Sequence, residues 1–239
     1  VLFRERSYVL VVSDTISQAV QFLGDIKKEL MENEQIRSLF KIKQFIKETE
    51  DDFICMFEDG ELFRISAKGS EQKVRGLKWD NKRPDLIVCD DLENDEIVLN
   101  KERRQKFKRW FYGALLPCRS YKGIVRYVGT ILHNDSLLES VMPKRSDKYT
   151  VTEPLKQYST KKKPSWVGVK YRAHTNDFTE ILWKERYDKD YFVTKRQEYV
   201  DQGLPDSYSQ EYLNVPIDES MSYFRRNDFL DFTDLDRQL

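Results

Sequence analysis

Residues 8–13, Tyr-Val-Leu-Val-Val-Ser, form an unbroken apolar run rich in β-branched side chains. A half-buried strand alternates apolar and polar residues; an unbroken run is covered on both faces, as in a parallel sheet flanked by helices. Asp85-Leu86-Ile87-Val88-Cys89-Asp90-Asp91 reads as a second buried strand that ends in two carboxylates, and Ile124 to Thr130 as a third, ending Val128-Gly129-Thr130. Helical periods lie between them. After Asp14, expected to cap a helix, Ile16, Ala19, Val20, Leu23, Ile26 and Leu30 recur at steps of three and four and make one apolar face. A second helix is expected from about Asn100 to Leu116, with Phe107, Trp110, Phe111, Ala114 and Leu115 inward, and a short one near Asp135 to Val141. Alternating strand and helix patterns predict an α/β fold with a mainly parallel sheet.

Phe53–Glu58 and Glu61–Ser66 alternate around Asp59-Gly60 and predict a hairpin. Ala67 to Pro84 has no apolar period and reads as a long loop, of the kind that is usually functional or mobile. After Met142 the pattern changes, which divides the chain into a core over 1–141 and a small α+β extension over 142–239. In the extension Lys161-Lys162-Lys163-Pro164 reads as a surface loop and Val167 to Ala173 as a strand, while Asp188–Gln202 and Asp206–Tyr212 read as helices. Asp228, Asp231, Asp234 and Asp236 follow no apolar strand and read as a solvated tail.

The charge balance, 41 basic against 41 acidic residues, gives no pointer to a polyanionic partner. Lys101, Arg103, Arg104, Lys106, Lys108 and Arg109 read as the charged outer face of their helix, with DNA phosphates as the alternative contact. Three cysteines in apolar or proline-flanked settings read as buried hydrophobes rather than a disulfide framework, and two separated histidines make zinc an unpromising ligand. No apolar stretch approaches the ~20 residues that span a bilayer, so no membrane partner is expected.

Asp90 and Asp91 are the residues most suggestive of chemistry. Nucleotide hydrolases place an acid at the end of a buried strand to hold magnesium on the phosphates, and a second acid beside it can polarise the attacking water. The bland alternative is a solvated strand end. In open α/β sheets ligands sit beyond the carboxyl ends of the strands. Three strands here end in small or polar residues, Ser13-Asp14, Asp90-Asp91 and Gly129-Thr130, and are expected to share one rim.

The order of these features carries a resemblance. Val9 to Ala19 is followed by the hairpin, by Val74-Arg75-Gly76, by Arg83 to Asp91, by Val128 to Asp135, and last by Tyr208-Ser209-Gln210-Glu211-Tyr212-Leu213-Asn214. The series resembles the ATPase domain of the large terminase subunits of tailed bacteriophages. The resemblance implies a sheet of the P-loop (ASCE-type) ATPase kind and ATP-driven translocation of viral double-stranded DNA into a capsid, with ATP and Mg2+ as cofactors. Asp90 would be the metal-holding acid and Asp91 the catalytic carboxylate, with Glu93 as the second candidate. Gly129 and Thr130 would sense the γ-phosphate, and Arg75 would reach the phosphates of a neighbouring subunit's nucleotide. The implied partners are double-stranded DNA, a portal protein, a small terminase subunit and further copies in a ring, within the host cell cytoplasm. The family's G-x-x-x-x-G-K-[ST] loop has no match in the sequence, so the chain is expected to be inactive alone. Two rivals stay open: a non-catalytic DNA- or protein-binding fragment of this fold, and a nuclease using two metals at Asp90 and Asp91, which a lack of further acids on the neighbouring strand tips disfavours.

Overall fold

The computed structural model describes residues 1–142, 152–156 and 166–217. The chain divides into two compact units, Val1–Thr130 with Asp135–Ser140, and Ile131–Asn134 with Val141–Leu239.

The first unit begins with β1 (Tyr8–Ser13), every residue of which is buried, as the unbroken apolar run requires. Its helix α1 (Ile16–Glu32) is capped by Thr15, whose hydroxyl accepts from the Gln18 amide, and not by Asp14 as the sequence suggested. Ala19, Leu23 and Leu30 of α1 pack over Val9, Val11, Phe53, Phe63 and Ile65. The expected hairpin is present as β3 (Asp52–Phe57) and β4 (Leu62–Gly69), with Gly60 at φ 86° in the turn. The sequence reading left out the preceding short helix α2 (Glu34–Phe40) and strand β2 (Ile42–Glu48), which extends the hairpin to three strands.

Beyond the long loop come β5 (Leu86–Asp90), the short helix α3 (Asp95–Leu99) and α4 (Lys101–Trp110). Asn100 caps α4 through bonds from the Glu102 and Arg103 amides. The expected single helix to Leu116 is interrupted: Phe111–Leu115 form a π-turn before the short α5 (Leu116–Cys118). Next are β6 (Ile124–Val128) and α6 (Leu137–Val141). Phe107, Phe111 and Leu115 face inward as expected, and the Phe111 ring packs 6.0 Å from Tyr127. The basic residues of α4 do not all face outward. Arg104 is buried and, with Lys108, pairs with Asp135 at 3.0 and 2.6 Å, tying α4 to the segment that opens α6.

The six strands form one mixed sheet in the order β2-β3-β4-β1-β5-β6. β4, β1, β5 and β6 are mutually parallel, and β2 and β3 add as an antiparallel pair.

In the second unit β7 (Thr152–Lys156), not foreseen from sequence, pairs antiparallel with β8 (Val167–Tyr171). The helices α7 (Lys189–Asp201) and α8 (Pro205–Leu213) fall where expected. Their contact is aromatic: Phe192 and Tyr208 are buried against His174, whose Nδ1 donates to the Thr175 carbonyl and whose Nε2 accepts from the Tyr208 hydroxyl, both at 2.7 Å. Asn214 ends α8 in the left-handed conformation, and its side-chain oxygen accepts from the Ile131 amide. Lys161–Pro164 and the acids from Asp228 to Asp236 lie outside the described residues.

Candidate functional site

Because β4, β1, β5 and β6 run parallel, their carboxyl ends share one rim. The register sets Ser13 opposite Gly69 on one side and Asp90 on the other, and Asp90 opposite Val128. One residue further along stand Asp14, Asp91 and Gly129. The Asp91 amide donates to the Val128 carbonyl at 3.1 Å, and the Asp91 carbonyl accepts from the Asp14 amide at 3.2 Å. Asp91 thereby joins the tips of β1, β5 and β6.

The backbone at Asp91 has φ 43°, in the left-handed region where a residue with a Cβ is uncommon. Such conformations persist where surrounding structure over-determines them, often at functional sites. The turn brings Asp91 Oδ1 to 3.2 Å from the point where a Cβ on Gly129 would stand. A side chain at 129 would press on that carboxylate. The rim therefore brings together Ser13, Asp14, Asp90, Asp91, Gly129 and the adjoining Thr130.

Asp90 is half-buried, and its carboxyl is held above the usual carboxylate range, first by burial and second by the charge of Asp91. Two neighbouring acids in a partly dry setting repel, and a divalent cation relieves that repulsion. The Ser13 hydroxyl, fully buried at the same rim, has no hydrogen-bond partner among the described residues. Such a group calls for a water or ligand oxygen. Among the described residues no set of three or more His, Cys, Asp or Glu side chains is placed to hold a metal. Mg2+ does not require one, since it binds through one or two carboxylates with water and phosphate oxygens completing the shell. Asp90, with Asp91 beside it, fits that mode.

The other sequence candidates are engaged elsewhere. Asp14 takes both bonds of the Asn94 side-chain amide, at 3.0 and 3.1 Å, and its carbonyl accepts from the Ser70 amide and hydroxyl. Glu93 Oε1 accepts from the Leu137 amide at 2.6 Å, and Oε2 accepts from the Leu138 amide and the Tyr127 hydroxyl. Glu93 thus caps the start of α6. Arg75 donates twice to the Gly113 carbonyl within the π-turn, and the neighbouring Trp110 indole donates to the Gln72 carbonyl. The loop is held against the helix there, and no contact among the described residues joins Arg75 to the carboxylates.

Sequence reasoning missed Asn94, which positions Asp14 and also caps α3 through the Ile97 amide. An asparagine ahead of Asp95 and Glu96 is a helix-start signal that could have found it. It also missed the need for Gly69, where a Cβ would meet the backbone nitrogen of Ile16 at 2.7 Å.

The strand order and register define an α/β protein with a mixed, mostly parallel sheet. No family model matches the sequence, and no curated protein matches it. Among solved structures the chain is similar to the large terminase ATPase domain of Thermus phage P74-26, with a TM-score of 0.48 and 14% identity over 90% of this chain and 79% of that one. The fold assignment rests on the strand order and register above, not on that likeness.

Proposed function

We propose that the rim at Asp90 and Asp91 serves ATP hydrolysis and that the chain acts in a DNA-packaging motor of the large terminase kind. The observation that carries the hydrolytic reading is the convergence on one rim of two acids, a glycine pressed by one of them, and an orphaned buried hydroxyl. The packaging role rests on the order of the sequence motifs.

Asp90 ends a buried strand and is the more rigidly placed acid, suited to hold Mg2+. When bound, the ion would draw charge from the phosphate oxygens and so ease attack on the γ-phosphorus. Asp91, beyond the last strand residue and exposed, orients the attacking water and takes its proton. Gly129, beside the carboxylate of Asp91, and the adjoining Thr130 would sense the γ-phosphate. Glu93 is assigned a structural role, since both its oxygens already accept bonds. The usual phosphate cradle of backbone amides and a lysine has no matching G-x-x-x-x-G-K-[ST] pattern in the sequence.

The test is a set of substitutions in the ATP-hydrolysing assembly. Asp90→Asn weakens Mg2+-dependent nucleotide binding as well as turnover. Asp91→Asn spares binding and lowers turnover by roughly 10²–10⁴. Glu93→Gln leaves turnover near the parent value and lowers the melting temperature, because the amides of Leu137 and Leu138 lose a charged acceptor. Hydrolysis abolished by Glu93→Gln and unaffected by Asp91→Asn would reverse the assignment.

A further inference from the structure

At the amino-terminal ends of the strands, on the opposite edge of the sheet from the acids, Ser7, Lys78, Asn81, Lys82, Arg83, Asp85, Ser120 and Tyr121 enclose an open cavity of about 420 Å³. Its walls are two loops of the first unit, 77–85 and 119–123. The first is a built element rather than a loose loop. Asp80 and Asn81 both have positive φ, 48° and 56°, and Trp79 and Lys82 exchange two backbone hydrogen bonds of 2.9 and 2.8 Å around them. That is a two-residue hairpin turn. The Trp79 ring packs edge-on against Tyr8 at 6.1 Å and fixes the hairpin to the sheet.

Arg4, Arg64, Arg103, Arg104, Lys106 and Lys108 all sit on carboxylates. Lys78 and Lys82 make no ion pair among the described residues. Arg83 donates to the Pro117 carbonyl, and the flanking Arg119 and Arg6 donate to the carbonyls of Gly123 and Lys122, so their charge is not neutralised. The lining acid, Asp85, is turned onto the chain: its oxygens accept from the Ser7 amide and hydroxyl and from the Tyr8 amide. Glu5 and Asp80, both exposed, make no ion pair among the described residues either. Around the cavity six cations, Lys78, Lys82, Arg83, Arg6, Arg119 and Lys122, stand against three acids, Asp85, Glu5 and Asp80.

Tyr121 stands at the mouth with its side chain 100% exposed. Its ring is therefore open to a flat partner. A ring beside a cationic groove is the combination that binds single-stranded nucleic acid, where bases stack on aromatics and cations follow the phosphates. A duplex keeps its bases in their own stack and offers the ring nothing. The cavity volume suits one nucleotide, and the cations flanking it at Arg6, Arg119 and Lys122 extend the field along a strand.

We propose that this cavity holds an unpaired nucleotide of a nucleic acid strand, with the base on Tyr121 and phosphates on Lys78, Lys82 and Arg83. The site is separate from the carboxylate rim and does not depend on the ATPase reading.

The test uses the full chain, fluorescence anisotropy, and neither ATP nor Mg2+. The ligands are a 12-nucleotide oligo-dT, a 12-base-pair duplex, inorganic polyphosphate and thymidine monophosphate. The oligo-dT binds most tightly, with a log–log salt slope near −2, as about three phosphate contacts at about −0.7 each require. Lys78→Glu with Lys82→Glu weakens oligo-dT at least tenfold, and the exposed control Lys28→Glu does not. Tyr121→Ala weakens oligo-dT about fivefold or more and leaves polyphosphate binding unchanged. Circular dichroism confirms that these surface variants fold. Unchanged oligo-dT affinity in the double lysine variant overturns the site. Duplex binding as tight as the single strand, an equal loss of polyphosphate binding in Tyr121→Ala, or monophosphate binding as tight as the 12-mer overturns the unpaired-strand assignment.

Discussion

At the scale of single residues, Asp90 links the chemistry to stability. Its carboxyl titrates above the usual range because burial, and then Asp91, disfavour the charged form. The unfolded chain releases this proton at about pH 3.9. Between that value and the higher folded pKa the folded state binds more protons, so this group lowers stability as pH rises through the window. Asp90→Asn therefore melts at a higher temperature than the parent at pH 7, and the difference disappears below about pH 4, where both carry a neutral side chain. Scanning calorimetry at the two pH values checks it; an equal or lower melting temperature for the variant at pH 7 contradicts the repulsion. The acid pair itself was legible in the sequence, because a strand end is a local feature. The commitments of Glu93 and Arg104 were not, since their partners, Leu137, Leu138 and Asp135, lie more than thirty residues away along the chain.

Secondary-structure elements show the same division. β1 and β5 were readable because burial on both faces leaves an unbroken apolar run. β2, Ile-Lys-Gln-Phe-Ile-Lys-Glu, buries only Ile42 and has neither run nor alternation; it is a strand because β3 offers it an edge. The π-helical turn at Phe111–Leu115 has a mark that the sequence reading did not use: Pro117 has no N–H for the Gly113 carbonyl four residues back, and Arg75 donates to that carbonyl instead. Two glycines of unlike setting test the packing between α1 and the sheet. Gly69→Ala forces a Cβ against the Ile16 backbone and costs about 1–3 kcal/mol. Gly24→Ala, on the exposed face of α1 with nothing within 4 Å, stabilises by about 0.5–1 kcal/mol. Chemical denaturation of both variants should give changes of opposite sign, and a neutral Gly69→Ala would mean that β4 and α1 do not approach this closely.

For the molecule as a whole, the two units respond differently to acid. His174 is buried among Phe178, Phe192 and Tyr208, and burial lowers its pKa below the ordinary histidine value of 6.5. Here the unfolded state binds the extra proton, so the second unit loses stability as pH falls below about 6.5. Melting followed by tyrosine fluorescence should shift downward between pH 7.5 and 5.5, and in His174→Gln the shift should shrink. The sequence made the parallel core and its acidic tips legible, while the long-range bonds that fix Asp91 against Gly129 needed the fold. The central claim is that these tips form a cation site for nucleotide chemistry. It is tested most directly by titrating Mn2+, as a paramagnetic substitute for Mg2+, into the isotope-labelled chain. The account predicts relaxation of amide signals centred on Asp90, Asp91 and Gly129, lost in Asp90→Asn. Relaxation centred away from this rim, or unchanged in Asp90→Asn, contradicts it.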